Sequence, residues 1–310
     1  MKVLITGVAG FVGSHLCRDL LDRGHCVTGA FIGQEPAIDG ADLVQVDLLD
    51  SSRLADVVGT AAPDGIVHLA GLSHVGDSWR QPERYFRVNV LGSENLLRAA
   101  QGVRVIVASS AEVYGAVPEE EQPLTEERDL APMSPYGMSK AAMERIAVCH
   151  GATIVRSFNI CGPGQASSFV LPAFAHQLQA IAVGDQVPVI RVGNLSARRD
   201  FIHVDDAVAG FRALLERAQP GGVYNLGSGQ AHSIQEVLDE LIRISGVSPE
   251  VEVDPERFRE VDVPLLVAST EPLQALGWEA RKTLQEALQD LWDEAPGQGH
   301  ATPQTPTTNS

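Results

Sequence analysis

The chain has 310 residues, 44 % of them hydrophobic, and a formal net charge of −17. That length supplies a packed core, as one large domain or two intertwined ones. So acidic a surface speaks against nucleic acid or an anionic membrane as partner, yet leaves room for a phosphate-bearing ligand, which needs only local cations and helix N-termini.

No apolar run reaches about 18 residues, so no membrane span is expected. Glycines interrupt the apolar N-terminus and no cleavage site follows, so it does not read as a signal peptide. Cys17, Cys26, Cys149 and Cys161 have no CxxC pair or zinc-type spacing. Reduced thiols in a cytoplasmic protein without a metal site are expected.

The β-rich run 2–6 leads straight into Gly7-Val-Ala-Gly10-Phe-Val-Gly13. Val12, Leu16 and Leu20 then share one helical face, Gly24 ends the helix, and 25–30 reads as a second strand. A strand, glycine turn, helix and strand in that order is the context of a dinucleotide-binding motif. Gly7 permits the tight turn, Gly10 lets backbone N–H groups approach a pyrophosphate, and Gly13 lets helix and strand pack closely. The second strand ends in Ala30, Phe31 and Ile32. It carries neither the acid that favours NAD nor the basic residue that favours NADP.

Further strands are predicted at 43–46, 66–70 and 103–108, and a long helix over 82–100 carries Asn89. Mid-helix asparagine is ordinarily solvated or locally packed. Strands alternating with helices predict an α/β fold, a Rossmann-like doubly wound parallel sheet. The acidic, proline-containing stretch 115–133 reads as a loop. Ser134 and Pro135 then start a helix that runs to about His150, as N-cap and first helical residue.

Tyr136 and Lys140 lie four apart on that helix and so share a face. A phenol has an ordinary pKa of about 10, and a nearby ammonium is expected to lower it and make a general acid/base. Ser110 follows the apolar strand 103–108 and stands at its carboxyl end, where open α/β sheets keep their sites.

The second half has shorter, mixed elements: strand 152–157, helix 169–183, strand 187–192, helix 205–218, strand and turn 222–229, a capping box at Ser233, strand 251–254 and helix 284–295. Arg199 and Arg259 read as loop residues, suited to a diphosphate as bidentate forks or to surface ion pairs. The expected division is a mainly cofactor-binding domain over 1–165, a smaller α/β substrate-binding domain over 166–295 with intertwined segments, and a disordered tail over 296–310.

The motifs GVAGFVG (7–13), HLAG (68–71), SSAEVYG (109–115), SPYGMSK (134–140), RSFNICGPGQ (156–165) and RRDFIHVDD (198–206) together resemble the extended short-chain dehydrogenase/reductase family, also described as NAD-dependent epimerases/dehydratases. They span nearly the whole chain except the tail. The chain is most similar to the GDP-sugar branch, which holds GDP-4-keto-6-deoxymannose reductases and GDP-mannose 4,6-dehydratases. The resemblance implies a nicotinamide cofactor, NAD(P)(H), a GDP-sugar substrate and a homodimer formed through the Tyr136 helix and the 82–100 helix.

It also implies Ser110, Tyr136 and Lys140 as catalytic residues, with Glu112 where the dehydratases carry a base. It places the cofactor against Gly7, Gly10, Phe11, Val12, Gly13, Asp47, Leu48, Leu69, Ala70, Gly71, Asn89, Ser109, Tyr136 and Lys140. The substrate falls to Ser73, Ser110, Glu112, Tyr136, Asn159, Val170, Asn194, Arg199, Arg259 and Asp262. Ile160 and Cys161 depart from the branch, which often has His-Ile or His-Thr there.

A reductase delivers one hydride and one proton to a ketone. A dehydratase needs a further acid and base, and Ala111, between Ser110 and Glu112, can do no proton chemistry. The reductase acting on GDP-4-keto-6-deoxy-D-mannose is therefore the expected activity. The 4,6-dehydratase is the alternative, and a nucleotide-sugar 4-epimerase comes behind both.

Overall fold

The computed structural model describes residues 1–257 and 263–294. Arg259, Asp262 and the expected tail 296–310 lie outside the described residues. In chain order the strands are β1 (Lys2–Thr6), β2 (Cys26–Phe31), β3 (Asp42–Gln45), β4 (Gly65–His68), β5 (Arg104–Ser110), β6 (Thr153–Ser157), β7 (Asn159–Cys161), β8 (Val189–Val192), β9 (Arg198–His203), β10 (Val223–Leu226), β11 (Ala231–Ser233), β12 (Glu250–Val253) and β13 (Leu265–Leu266). The helices are α1 (Phe11–Asp22), α2 (Ser51–Ala61), α3 (Val75–Arg80), α4 (Pro82–Phe86), α5 (Ser93–Ala99), α6 (Pro135–Cys149), α7 (Val170–Ala182), α8 (Val204–Arg217), α9 (Ile234–Ser245), α10 (Glu271–Gln274) and α11 (Leu284–Asp293).

Seven parallel strands form the main sheet in the order β10-β6-β5-β4-β1-β2-β3. Alternation along each strand feeds two separate cores. Val3, Ile5, Val67, Ile106 and Val155 pack with α1 and α8 on one face. Leu4, Ile66, Val105, Val107 and Ile154 pack with α2, α5 and α6 on the other. This is the doubly wound sheet expected from the sequence, and β10 joins it from the second half of the chain.

A smaller sheet carries β11, β9 and β13, with β7 paired to β9, and β12 pairs with β8. Behind them α7, α9 and α11 close a third core around Leu178, Leu238 and Leu288. The capping box expected at Ser233 is present: Ser233 Oγ accepts from Glu236 N at 3.1 Å, and Glu236 Oε2 accepts from Ser233 N at 2.7 Å. Arg199 is not in a loop. It is a buried residue of β9, which neighbouring strands cover on both edges.

The single helix expected over 82–100 is also corrected. Between α4 and α5 the backbone widens into a π-helical turn, Arg87–Gly92. Asn89 is buried there, not solvated, and its side chain bonds across to other elements. Such a turn inserts one residue into the helical ladder, a feature that often marks functional positions. Among the described residues, no helix is long and apolar enough to cross a membrane, and no group of His, Cys, Asp and Glu could hold a metal ion.

Candidate active site

The site begins at the carboxyl ends of β1, β4, β5 and β6. Gly7 sits at φ +77, and a Cβ there would come within 2.7 Å of Ala70 N. A Cβ on Gly13 would lie 2.2 Å from Gly7 O. Neither position admits a side chain, so α1 packs directly on the loop after β1. Gly10 N donates to Gly7 O at 3.0 Å and is the N-cap of α1, with no side chain to cap the helix. The amide groups of the first helical turn, at Phe11, Val12 and Gly13, thus lack side-chain acceptors, as an anion site at a helix N-terminus requires. These residues fit the pyrophosphate of a dinucleotide. Leu69 and Ala70 pass beside this loop, and Gly71 stands against Asn89 and Lys140. Leu48 follows β3 and packs against Gly92, while the Asp47 carboxylate accepts from Leu49 N at 2.9 Å.

Helix α6 brings Tyr136 and Lys140 to this edge. Ser134 Oγ caps it by accepting from Gly137 N at 3.0 Å, with Pro135 in the first turn. Such a cap contributes about 1 kcal/mol. A Cβ on Gly137 would come 2.8 Å from Glu112 O, so glycine lets α6 close onto the turn after β5. As a result the Ser110 hydroxyl stands close enough to the Tyr136 phenol to act on its acidity. Ser110 Oγ also accepts from Glu112 N at 3.2 Å.

The expected effect of Lys140 on Tyr136 is overturned. The Lys140 ammonium donates to Ala108 O at 2.8 Å, the last link of the site to the strand interior. Burial pushes the Tyr136 phenol well above its ordinary pKa; the nearby Ser110 hydroxyl opposes this, and the Glu112 charge adds to it. Burial also brings Lys140 down to about 8, against the pull of Glu144. Spacing on a helix places two side chains on a face, but desolvation decides which charge state each holds. Burial therefore favours the protonated phenol over the phenolate.

Around this centre runs a relay that the sequence analysis missed. Ala70 N donates to Thr6 Oγ1 at 3.3 Å, and Thr6 Oγ1 lies 2.6 Å from His68 Nδ1. His68 Nε2 lies 2.8 Å from Ser93 Oγ, which donates to Asn89 O at 2.6 Å. Because Ser93 spends its proton on Asn89, it accepts from His68, so His68 carries its proton on Nε2 and accepts from Thr6 at Nδ1. The Asn89 side chain grips both groups of Leu72, accepting from its N at 2.8 Å and donating to its O at 3.0 Å, and also donates to Ser139 Oγ at 3.0 Å. Polar residues closing the apolar strands β1 and β4 were the available signal.

Ser109 points to the opposite face from Ser110. It donates to Glu144 Oε1 at 2.5 Å, and Arg156 Nη2 donates to Glu144 Oε2 at 2.9 Å. The remaining candidates flank the opening. Ser73 is exposed, and the adjoining His74 caps α3 by accepting from Asp77 N at 3.1 Å. The His74 ring meets Phe169 edge-on at 6.2 Å, which brings the Ser73 loop to Val170 at the start of α7. Asn159 in β7 donates to Asp200 O at 3.2 Å, and Arg199 Nη1 donates to Arg198 O at 2.9 Å. Asn194 stands in the turn between β8 and β9, where a Cβ on Gly193 would touch Arg257 O.

A doubly wound sheet with a glycine cradle and a Ser–Tyr–Lys centre at its carboxyl edge fits a dinucleotide-dependent enzyme, and comparison with known proteins agrees. The family model described as GDP-mannose 4,6 dehydratase matches residues 4–291. The GDP-6-deoxy-D-mannose reductase of Pseudomonas aeruginosa is 34% identical over 301 residues, covering 94% of this chain and 95% of that protein. Among solved structures, RMD of Pseudomonas aeruginosa complexed with NADPH superposes with a TM-score of 0.82 at 32% identity, covering 94% of this chain and 98% of that one. The UDP-glucose 4-epimerase of Thermus thermophilus in complex with NAD gives 0.86 at 31% identity, with the same coverage of both chains. The chain belongs to the GDP-mannose 4,6 dehydratase family, whose members here are NAD(P)-dependent sugar-nucleotide enzymes.

Proposed function

We propose that the chain is an NAD(P)H-dependent reductase of a GDP-linked 4-keto-6-deoxy sugar, acting on GDP-4-keto-6-deoxy-D-mannose. The observation that carries this reading is the buried group of Ser110, Tyr136 and Lys140 at the carboxyl edge of the sheet, with Ala111, which can do no proton chemistry, between Ser110 and Glu112. Ketone reduction starts with a proton donor, and burial favours the protonated phenol. Oxidation-first chemistry starts with a base instead.

The bound nicotinamide supplies the hydride. Tyr136 gives its proton to the carbonyl oxygen as charge develops there, and Ser110 donates a hydrogen bond to the same oxygen. Lys140 sits one turn from Tyr136 and restores positive charge near the phenolate that is left. Asn89 anchors α6 to the loop after β4 and so fixes the distance between Tyr136 and the cofactor cradle. Asn159, Arg199 and Asn194 serve the diphosphate side of the substrate, with Ser73 and Val170 at the sugar, and Arg259 and Asp262 complete that set. Asp47, Leu48, Leu69, Ala70 and Gly71 line the cofactor side; the Ser109 side chain, expected there too, is turned away onto Glu144.

A second reading, the 4,6-dehydratase, is favoured by Glu112. Its backbone N–H bonds Ser110, and its charge is felt at Tyr136. Absorbance at 340 nm separates the two. Stoichiometric loss of NADPH or NADH with the keto sugar supports the reductase and identifies the preferred cofactor. Conversion of GDP-mannose alone, with no net cofactor change, replaces it with the dehydratase.

A cytoplasmic homodimer belongs to the same reading. Trp79, Phe86, Leu91, Met138 and Val148 are exposed apolar side chains on α3, α4, the π-turn and α6. They supply the apolar contact surface that a two-fold helix packing needs. Sedimentation equilibrium giving only a monomer at high concentration would reject the dimer.

A further inference from the structure

Ser157 closes β6 directly beside Ser110: in the parallel register of β5 and β6 the two serines are partners. Alternation sets the face each uses. Val155 belongs to the core on the α1 and α8 side, as Ile106 does, so Ser157 and Ser110 extend from that same face. Arg156 and Ser109, one residue earlier on each strand, both turn the other way and meet on Glu144.

The Ser157 hydroxyl is buried, and it has no hydrogen-bond partner among the described residues. Buried hydroxyls in folded proteins are nearly always bonded, and leaving one unpaired carries a desolvation penalty. A serine kept in that condition one strand away from the Ser110–Tyr136 pair is therefore placed for a ligand.

The sheet order says which ligand. The glycine cradle follows β1, with β2 and β3 on one side and β4, β5 and β6 on the other. A dinucleotide laid across the carboxyl edge puts its pyrophosphate at the cradle and its two nucleosides on opposite sides of it. Tyr136 and Ser110 mark the β5 side as the reacting half. The pyridine ring of that half has one polar substituent, a carboxamide, which both donates and accepts. A serine hydroxyl can answer either group.

We propose that the Ser157 hydroxyl is a hydrogen-bonding group for the nicotinamide carboxamide, and so helps choose which ring face meets the substrate. The proposal rests on the cofactor reading above. The test compares the full-length chain with Ser157→Ala by fluorescence titration with NADPH and NADH, by displacement with ADP-ribose and its 2′-phosphate, and by thermal melting.

In Ser157→Ala the dinucleotide Kd is expected to rise about five- to tenfold, the worth of one neutral hydrogen bond. ADP-ribose, which lacks the pyridine ring, should bind both proteins equally. Without cofactor the variant should melt at the same or a higher temperature, because an unpaired hydroxyl has been removed from a buried place. A lowered melting temperature with unchanged Kd would make Ser157 structural and overturn the proposal. So would an equal loss for ADP-ribose, or a change confined to the KM of the sugar. If the wild-type chain bound neither NADH nor NADPH, the cofactor reading would fall and this assignment with it. An unchanged Kd in the variant alone would remove only this assignment.

Discussion

The amide of Asn89 donates to Ser139 Oγ across 3.0 Å, and Ser139 Oγ donates in turn to Tyr136 O at 2.7 Å. One side chain in a π-turn thus holds the helix turn that carries the proposed proton donor. The turn is itself held from the sheet through Ser93 and His68. Asn89→Leu keeps the volume but leaves the Leu72 N–H and C=O unpaired. It should destabilise the fold by about 1–3 kcal/mol and lower kcat more than it raises the cofactor Kd. Urea titration and steady-state kinetics check both parts.

His68 ties this arrangement to acid stability. Burial brings its pKa down to about 3, and the Lys140 charge assists. The unfolded chain takes up the proton near pH 6.5 and the native chain only near 3, so the unfolded state binds more protons between those values. The neutral ring's contribution is present above pH 6.5 and is lost as pH falls through that window. It amounts to on the order of 5 kcal/mol in all. His68→Asn should flatten that limb of the stability–pH curve, at a cost in stability near neutral pH. Parallel limbs in the two proteins would rule out a buried neutral imidazole.

Tyr136→Phe removes the phenolic proton but keeps the ring that meets Tyr85 edge-on at 6.3 Å. Turnover should fall by about 10²- to 10⁴-fold, the ordinary loss of a positioned general acid. Cofactor affinity should change little. Unchanged turnover at 340 nm would reject Tyr136 as the donor.

Lys140 has the opposite pH window. Its ammonium loses its proton near pH 8 when folded and near 10.5 when unfolded, because burial penalises the charge. The unfolded state again binds more protons between these values, so stability rises from pH 8 to 10.5. Below 8 the native state carries a cost on the order of 3 kcal/mol. Lys140→Met should erase that slope and lose turnover together. A slope that survives the substitution would place it on other groups.

The residues legible in the sequence were those whose role is local. The glycine spacing after β1, the Ser134–Pro135 start of α6 and the Ser233 capping box depend on neighbours within a few positions, and the structure has them as read. The π-turn was not legible, since one extra residue leaves the apolar period of 82–100 nearly intact. Arg199 read as a loop residue because Arg198, Arg199 and Asp200 are charged. Yet Asp200 is satisfied by Ser228 N at 2.7 Å, Gly229 N at 2.9 Å and Ala268 N at 3.1 Å, all distant in sequence. The state of Tyr136 was misread for a similar reason: burial is a property of the assembled edge, and the four-residue spacing to Lys140 carries no information about it.

The buried pair Arg156–Glu144 supports the site from beneath. Arg156 Nε and Nη2 both bond the Glu144 carboxylate, Nη1 bonds Tyr114 Oη at 3.0 Å and Glu126 O at 2.9 Å, and the guanidinium carbon lies 4.9 Å from the Tyr114 ring centroid. Tyr114 Oη in turn donates to Asn225 Oδ1 at 2.7 Å, reaching the outer strand β10. Removing one charge strands the other: Arg156→Met should cost about 3–5 kcal/mol, and Glu144→Gln, which keeps a polar group against Arg156, less. Ser109 donates to that same carboxylate, and Ser110 is the next residue, so a shift of Glu144 reaches the site through one peptide unit. Glu144→Gln should therefore lower kcat at temperatures well below its own melting point, with KM for the sugar little changed. Chemical denaturation and kinetics on the one variant separate the two effects; wild-type kcat in a destabilised protein would confine this pair to a structural role.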